Sequence, residues 1–271
     1  MNNSIECLRP QAVASHAKVA LFDFDGTVSL IRAGWVDVMV PMMVEALVEL
    51  KTGESEADLT EVVREYVGKL TGRQTIYQMI ALADEIQKRG GKPEEPLVYK
   101  HRYLDLLMER IKDRIDGLRN GSIPPVTYQV PGTIELLEGL KARGFRMYLA
   151  SGTDDKFVKD EAQLLKLDHY FDGGVYGALD DYKSFSKALL IKKLIDDAGV
   201  RGDEFLGFGD GYVEIENVKQ VGGVAVGVAT DEPDCKVVDE WKRKRLAGVG
   251  ADYIIPNFLC YQDLFKLLFP E

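Results

Sequence analysis

The sequence predicts an α/β protein, in which a doubly wound parallel sheet carries an inserted helical domain. Two observations support this prediction. Short apolar segments that end at acidic or glycine residues alternate with amphipathic segments, as the strands and helices of such sheets do. Between residues 30 and 126 the alternation stops, and helical patterns follow one another without a convincing strand.

Four apolar segments are typical of buried parallel strands that end at functional loops. They are residues 18–22, 145–150, 204–209 and 224–229. Between them, helical periodicity is found at residues 132–143, 156–167 and 185–198. Polar residues gather at the carboxyl ends of the strands, which is the edge where open α/β sheets bind ligands. We therefore expect a Rossmann-like core with its site at that edge.

The helical insertion is predicted to form a separate cap over residues 30–126, and the core is predicted to comprise residues 1–29 and 127–271. Within the insertion, residues 74–89 and 96–118 place apolar side chains at helical spacing. The turn-forming residues 120–125 are expected to be the linker back to the core.

Composition narrows the possible partners. The net charge of -10 opposes binding to nucleic acid and to anionic lipid surfaces. Three dispersed cysteines suit reduced thiols rather than disulfides, and neither a leader segment nor a charge-free span is evident. We expect a cytoplasmic protein, monomeric or weakly dimeric, that binds a small substrate and neither nucleic acid nor membranes.

Two carboxylates follow the first predicted strand, in the run Asp23-Phe24-Asp25-Gly26-Thr27. Strand alternation points Asp23 and Asp25 the same way. Like charges this close are unfavourable unless a cation or a shared proton offsets them, and both are useful for phosphoryl transfer. An acidic turn without chemistry is the other interpretation, and the buried strand before it argues against that.

This run resembles the first motif of the haloacid dehalogenase superfamily, Asp-x-Asp-Gly-Thr, and three further motifs follow in order. The second is a Ser or Thr at the next strand end, which Ser151 supplies. The fourth is Gly209-Asp210 followed four residues later by an acid, here Glu214 in place of the usual Asp. That departure leaves open whether Glu214 reaches a metal directly, through water, or only serves its helix.

The third motif is a lysine, and both Lys183 and Lys187 are candidates. We prefer Lys187 because it opens an amphipathic segment and so would lie in the first turn of a helix at the catalytic edge. Lys183 would then belong to the preceding loop.

The resemblance implies a magnesium-dependent phosphatase that works through an aspartyl phosphate and has a helical cap of the first type, similar to phosphoglycolate phosphatases and β-phosphoglucomutases. It assigns catalysis to Asp23, Asp25, Ser151 and Lys187. It assigns Mg²⁺ binding to Asp23, Asp25, Asp210 and Glu214. Alternatives are a phosphomutase acting on a sugar phosphate and a binding protein of the same fold without catalysis.

Substrate binding is predicted at two motif residues and four cap residues. Thr27 and Gly152 belong to the first two motifs. Arg32 and Trp35 follow the first motif closely, so the chain must carry them past the site. Arg73 and Gln74 lie at a glycine-broken junction, and an arginine there would suit oxyanion recognition. These motifs do not identify the substrate.

Overall fold

A single sheet forms the centre of the molecule. In the computed structural model, which describes residues 5–183 and 186–270, seven strands are hydrogen-bonded in the order β1-β7-β6-β5-β2-β3-β4. All neighbours are parallel except β1 and β7. The strands are β1 Glu6–Cys7, β2 Val19–Phe22, β3 Arg146–Asp154, β4 Gly174–Ala178, β5 Phe205–Gly209, β6 Val224–Val228 and β7 Tyr253–Ile255.

Ten α-helices occur in the part of the chain that the structure describes, and the first four of them lie within residues 30–126. These four are α1 Val36–Val48, α2 Glu56–Leu70, α3 Ile76–Lys88 and α4 Pro96–Asn120. The others are α5 Thr133–Ala142, α6 Asp155–Leu164, α7 Lys187–Ala198, α8 Tyr212–Gln220, α9 Glu240–Gly248 and α10 Tyr261–Leu268. None of the described helices is long and apolar enough to cross a membrane.

The α/β fold class predicted from the sequence is confirmed, and the order β5-β2-β3 places β2 between two predicted strands. Three strands were missed. β1 and β7 have only two and three residues, and β4 contains two glycines, which weaken a strand pattern. The predicted helix at 185–198 begins at Lys187, and Phe185 lies outside the described residues.

Strand β3 runs four residues further than predicted, to Asp154. Its register with β4 shifts between Ala150 and Asp154. The extension arises because β4, which the sequence did not reveal, offers a partner to the polar residues after Ala150. Ser151 and Thr153 therefore lie on the strand itself rather than in a loop.

The helices between β2 and β3 bury apolar side chains together. Met39, Met43 and Leu47 of α1 are at most 1% exposed, as are Leu107 and Ile111 of α4. This packing belongs to the same hydrophobic cluster as Phe22 and Phe208 of the sheet. The division of the chain at residues 30 and 126 stays a prediction.

Gly132, which precedes α5, provides a test of the fold. Its φ is +83°, and a Cβ would lie 2.4 Å from the backbone carbon of Phe258. Because backbone cannot yield as a flexible side chain does, we expect Gly132→Ala to lower the free energy of unfolding by more than about 3 kcal/mol in urea titrations.

The matched control is Gly121→Ala, since Gly121 has a similar φ of +77° with open space around it. That variant carries only the left-handed backbone cost of about 1 to 2 kcal/mol. Equal losses in the two variants would show that the contact with Phe258 is not limiting.

Candidate active site

Asp23 follows the last residue of β2, at the centre of the sheet's carboxyl edge. Its backbone N–H donates to the carbonyl of Phe208 on β5 at 2.9 Å, which fixes the carboxylate between two strands. The residue is 5% exposed. Lys187 Nζ lies 2.7 Å from Asp23 Oδ1 and also contacts the carboxylate of Glu214, which is fully buried. One ammonium thus serves two buried carboxylates.

This environment changes the acidity of Asp23. Burial raises its pKa from an ordinary 3.8 to about 7, because a charged carboxylate loses its hydration there. The carboxylates of Asp210 and Asp25 add to the increase, whereas the Lys187 ammonium opposes it. The positive charge that the protein itself supplies therefore does not fully compensate the Asp23 carboxylate.

Lys187 is the first residue of α7, which Ser186 caps by accepting the Leu189 N–H at 3.1 Å. The cap sets the helix start and so directs the lysine toward the sheet edge. The other candidate, Lys183, lies in the preceding turn, with its Nζ 5.9 Å from the centre of the Tyr182 ring. The preference for Lys187 thus agrees with the geometry, although its catalytic role stays a prediction.

Asp25 lies beside Asp23, and only one of its carboxylate oxygens accepts hydrogen bonds; the other lies 3.9 Å from Arg32 Nε. Its Oδ2 accepts hydrogen bonds from Ser151 Oγ at 3.2 Å and Thr153 Oγ1 at 2.8 Å. Its Oδ1 is buried without a hydrogen-bond partner. Thr153 was not predicted, although a hydroxyl two residues after Ser151 on one strand faces the same side. The strand thus supplies two adjacent hydroxyls to one carboxylate.

Asp210 follows β5 and is held by Thr27, a motif residue, and by Lys242, which the sequence did not single out. Its backbone N–H donates to Thr27 Oγ1 at 2.9 Å. Lys242 Nζ, on α9, lies 2.9 Å from Asp210 Oδ2 and 2.7 Å from Glu232 Oε1. Burial raises the pKa of Glu232 in spite of Lys242. Nothing in sequence spacing links Lys242 to Asp210, because only the folded chain brings α9 to this edge.

The donors at this edge fit a hard divalent cation in their chemistry. Asp23, Asp210 and the backbone carbonyl of Asp25 are oxygen ligands of the kind Mg²⁺ prefers. The carboxylates of Asp210 and Asp25, which add to the effect of burial on the pKa of Asp23, mark a local excess of negative charge. Among the described residues, no three acidic, histidine or cysteine side chains are arranged to hold a metal by themselves, so the backbone carbonyl would be needed.

Glu214, predicted as a metal ligand, contacts the Lys187 ammonium instead of standing free. Its second oxygen, Oε2, is buried without a hydrogen-bond partner. The structure thus gives Glu214 a contact that orients the lysine. Its role toward a metal stays a prediction.

Comparison with known proteins identifies the family. The model of haloacid dehalogenase-like hydrolases matches residues 17–222. The chain belongs to this family. A 5'-nucleotidase of Pseudomonas aeruginosa is 30% identical over 97 residues, which are 36% of this chain and 43% of that protein. The hydrolase thus matches less than half the length of this relative.

Solved structures extend the likeness over nearly the whole chain. A β-phosphoglucomutase from Clostridium difficile superposes with a TM-score of 0.62 at 13% identity, covering 93% of this chain and 97% of that one. A predicted phosphoglycolate phosphatase from Haemophilus somnus 129pt gives 0.58 at 18% identity, covering 92% and 98%. Such coverage must include most of the helices between β2 and β3. The resemblance to members with a helical cap of the first type is confirmed at the level of fold.

A cavity of about 90 Å³ in the hydrolase is bounded by the motif residues and by α1, α3 and α4. Most of the predicted site residues line it, including four of the six assigned to substrate binding. The predicted residues on its wall are Asp23, Asp25, Ser151, Lys187, Asp210, Gly152, Arg32, Trp35 and Arg73. Sequence reasoning missed Met39, Thr75, Gln78, Tyr103 and Thr153, which also line it.

Arg32 lines the cavity, but Glu161 holds its guanidinium. Arg32 Nε lies 3.0 Å from both carboxylate oxygens of Glu161, and Nη2 lies 2.6 Å from Oε1. The two side chains are 5% and 1% exposed. Burial raises the pKa of Glu161 to about 7 although Arg32 opposes it. In the sequence, Glu161 falls on the apolar stripe of α6 with Val158 and Ala162. An acid at such a position indicates that a cation pairs with it.

Thr27 and Gln74 do not line this cavity. The Thr27 side chain is fully buried and accepts the Asp210 N–H. Gln74 Nε2 donates to the carbonyl of Tyr182 at 3.2 Å. This hydrogen bond links the segment before α3 to the turn before α7. Arg73 is exposed, and its Nε donates to Tyr212 Oη at 2.9 Å. Binding of substrate by these residues stays a prediction.

The Arg32–Glu161 pair can be tested through stability. Arg32→Met leaves a carboxylate buried without its partner, and we expect the free energy of unfolding in urea to fall by about 3 to 5 kcal/mol. Replacing both residues, as Arg32→Met with Glu161→Leu, should restore most of this loss.

Arg119→Met is the control, since Arg119 pairs with Asp160, next to Glu161, with both side chains about half exposed. It should cost at most about 1 kcal/mol. A double variant as unstable as Arg32→Met would show that the unpaired charge is not the cause.

The raised pKa of Asp23 predicts a pH dependence of stability without metal. A carboxyl that binds its proton more tightly when folded stabilises the fold at low pH, and this contribution is lost as pH rises from 3.8 through about 7. In chelator, the wild type should lose about 2 to 3 kcal/mol more than Asp23→Asn between about pH 5 and about pH 8. Urea titrations at both pH values measure this, and parallel losses in the two proteins would contradict it.

Proposed function

We propose that this hydrolase is a magnesium-dependent phosphatase that cleaves a small phosphate monoester through an aspartyl phosphate on Asp23. The observation that carries the proposal is the pairing of the buried Asp23 carboxylate with Lys187 Nζ at 2.7 Å, on the wall of a cavity that Asp25 shares. A binding protein would need the lysine for an anion but would not need a nucleophile and an acid beside it.

In the proposed reaction, an Asp23 carboxylate oxygen attacks phosphorus as the bond from phosphorus to the leaving oxygen breaks. Lys187 would offset the repulsion between the carboxylate and the anionic phosphoryl group, with Glu214 holding the ammonium in place. Mg²⁺ bound by Asp23, Asp210 and the Asp25 carbonyl would supply further neutralisation of phosphoryl charge.

Asp25 is proposed to move the proton. Because Oδ2 already accepts two hydroxyl hydrogen bonds, the unpartnered Oδ1 is the atom at which a proton would be held. Oδ1 would give this proton to the departing alkoxide and then accept one from the water that hydrolyses the aspartyl phosphate. The Ser151 and Thr153 hydroxyls orient the group for both steps.

The relatives' names support phosphoryl chemistry in general, since a nucleotidase, a phosphatase and a mutase all act on phosphates. They do not transfer a substrate to this chain. The net charge of -10 supports a small metabolite rather than nucleic acid or a lipid surface. We also propose a cytoplasmic enzyme, because three dispersed cysteines suit reduced thiols, and a monomer or weak dimer.

The test is release of inorganic phosphate from a panel of sugar, polyol, acid and nucleoside phosphates, with magnesium and with chelator. Activity should require magnesium and should vanish in Asp23→Asn, whose amide is nearly the same shape but a poor nucleophile. Turnover in that variant, or phosphate release that is unaffected by chelation, would contradict the proposal. Transfer of phosphate to a second sugar hydroxyl instead of water would identify a mutase.

Asp25→Asn separates proton transfer from other roles. We expect it to reduce kcat for alkyl phosphates by about 100-fold or more, because their alkoxide must be protonated as it leaves. The loss on an aryl phosphate with a good leaving group should be much smaller. Steady-state kinetics on both substrates measure this ratio, and equal losses would assign Asp25 to metal binding or to structure.

A further inference from the structure

We propose that the cap side of the cavity selects a short, uncharged polyol as the leaving group, so that the substrate is a polyol monophosphate rather than a phosphorylated acid. This inference rests on the proposed phosphatase function. It assigns substrate selection to Gln78 of α3 and Tyr103 of α4, which no sequence motif marks.

Gln78 and Tyr103 are buried polar side chains that face the cavity. Each is only 4% exposed, and both line the cavity wall. In the described part of the chain neither side chain has a hydrogen-bond partner, and neither is sealed away from the cavity. Buried amides and hydroxyls are normally hydrogen-bonded, because leaving them unpaired costs free energy. These two groups are therefore available for a ligand.

Tyr103 lies near the atoms that would react. It is close enough to Asp25, Arg32 and Glu161 for their charges to affect its ionisation. Burial raises the pKa of Tyr103, so its hydroxyl remains a neutral donor and acceptor. Tyr103 lines the same cavity as the proposed acid, Asp25, so its hydroxyl can bond a hydroxyl of the leaving group.

The cations on the inner wall of the cavity are already paired with carboxylates. Lys187 contacts Asp23 and Glu214, and Arg32 is forked onto Glu161. Arg73 lies at the exposed rim, donating to Tyr212. A carboxylate on the leaving group would thus enter a half-buried space beside Asp25 with no free counter-charge among the described inner residues, which is unfavourable. Hydroxyl groups carry no such cost.

The cavity has room for a short leaving group beside the phosphoryl group. About 90 Å³ holds roughly six to nine waters at 10–15 Å³ each, and a phosphoryl group with a chain of three or four carbons fits in that space. Trp35 and Met39 provide apolar wall for the C–H faces of such a chain, while Gln78, Tyr103 and Thr75 provide polar groups.

Two substrates of one skeleton test the charge argument directly. Glycerol phosphate and phosphoglycerate differ in a hydroxymethyl group against a carboxylate. We expect kcat/KM for glycerol phosphate, and for erythritol phosphate, to exceed that for phosphoglycerate, phosphoglycolate and adenosine monophosphate by about tenfold or more. Equal or better turnover of an acid or a nucleotide would overturn the proposal. If phosphoglycerate is turned over that well and Arg73→Ala abolishes its turnover, Arg73 is the counter-charge for the carboxylate, which also overturns the proposal.

Substitutions then test the two residues. Gln78→Leu and Tyr103→Phe should each lower the ratio of kcat/KM on glycerol phosphate to kcat/KM on an aryl phosphate by about tenfold, chiefly through KM. An aryl group offers no hydroxyls, so its turnover serves as the internal reference for folding and for the phosphoryl site.

Matched controls are available on the same two helices. Gln87→Leu changes an exposed glutamine of α3, and Tyr99→Phe changes a tyrosine of α4 whose hydroxyl accepts the Glu94 N–H at 2.9 Å. Neither should alter the ratio. An unchanged ratio in Gln78→Leu and Tyr103→Phe would overturn the inference, whereas failure of the wild type to hydrolyse any phosphate would instead overturn the phosphatase proposal.

Discussion

The sharing of one ammonium between two buried carboxylates is the interaction on which the site depends. Lys187 contacts both Asp23 and Glu214 at the sheet edge, so neither carboxylate is fully compensated. Burial raises the pKa of Asp23, and the carboxylates of Asp210 and Asp25 add to the increase. The divalent cation proposed above would offset this excess of negative charge and so ease the approach of an anionic phosphoryl group.

The second constraint is the close approach of the chain between α2 and α3 to the catalytic loops. A Cβ on Gly152 would lie 2.6 Å from the carbonyl oxygen of Arg73, and one on Gly72 would lie 3.3 Å from the Cα of Gly211. Gly72 also has a φ of +91°. Backbone therefore packs on backbone at the mouth of the cavity, and larger residues would hold the helical segment away. This contact places the segment between α2 and α3 on the wall of the cavity that Asp23 also lines.

The fold class could be predicted because buried strands and amphipathic helices alternate in sequence, and the four motif residues Asp23, Ser151, Lys187 and Asp210 each follow or open one of those elements. The strands β1, β4 and β7 could not, because they are short or glycine-containing and are defined by partners far away in the chain. Partner choice is a property of tertiary structure that local pattern does not encode.

Within the site, the same limit separates what was found from what was missed. Asp25 and Lys187 carry local signals, namely strand alternation and a helix start. Lys242 reaches Asp210 across 32 positions of sequence. Its helix α9 buries only Leu246 and has no apolar stripe, so no pattern distinguishes this lysine from exposed ones. Glu161 was detectable only as an acid on an apolar face. Such a position signals a partner but does not say which cation supplies it.

Arg32 shows how a partner changes the chemistry that a residue offers. An arginine close to the first motif is a reasonable candidate for an oxyanion, since its planar donors match a carboxylate. The carboxylate that it matches is Glu161, within the protein. The guanidinium then forms part of the cavity wall and interacts weakly with Asp25 Oδ1 at 3.9 Å. It offers no free charge to a substrate. What remains for a substrate on that wall is a set of neutral donors and acceptors, and these distinguish hydroxyl groups from carboxylates through desolvation rather than through charge attraction.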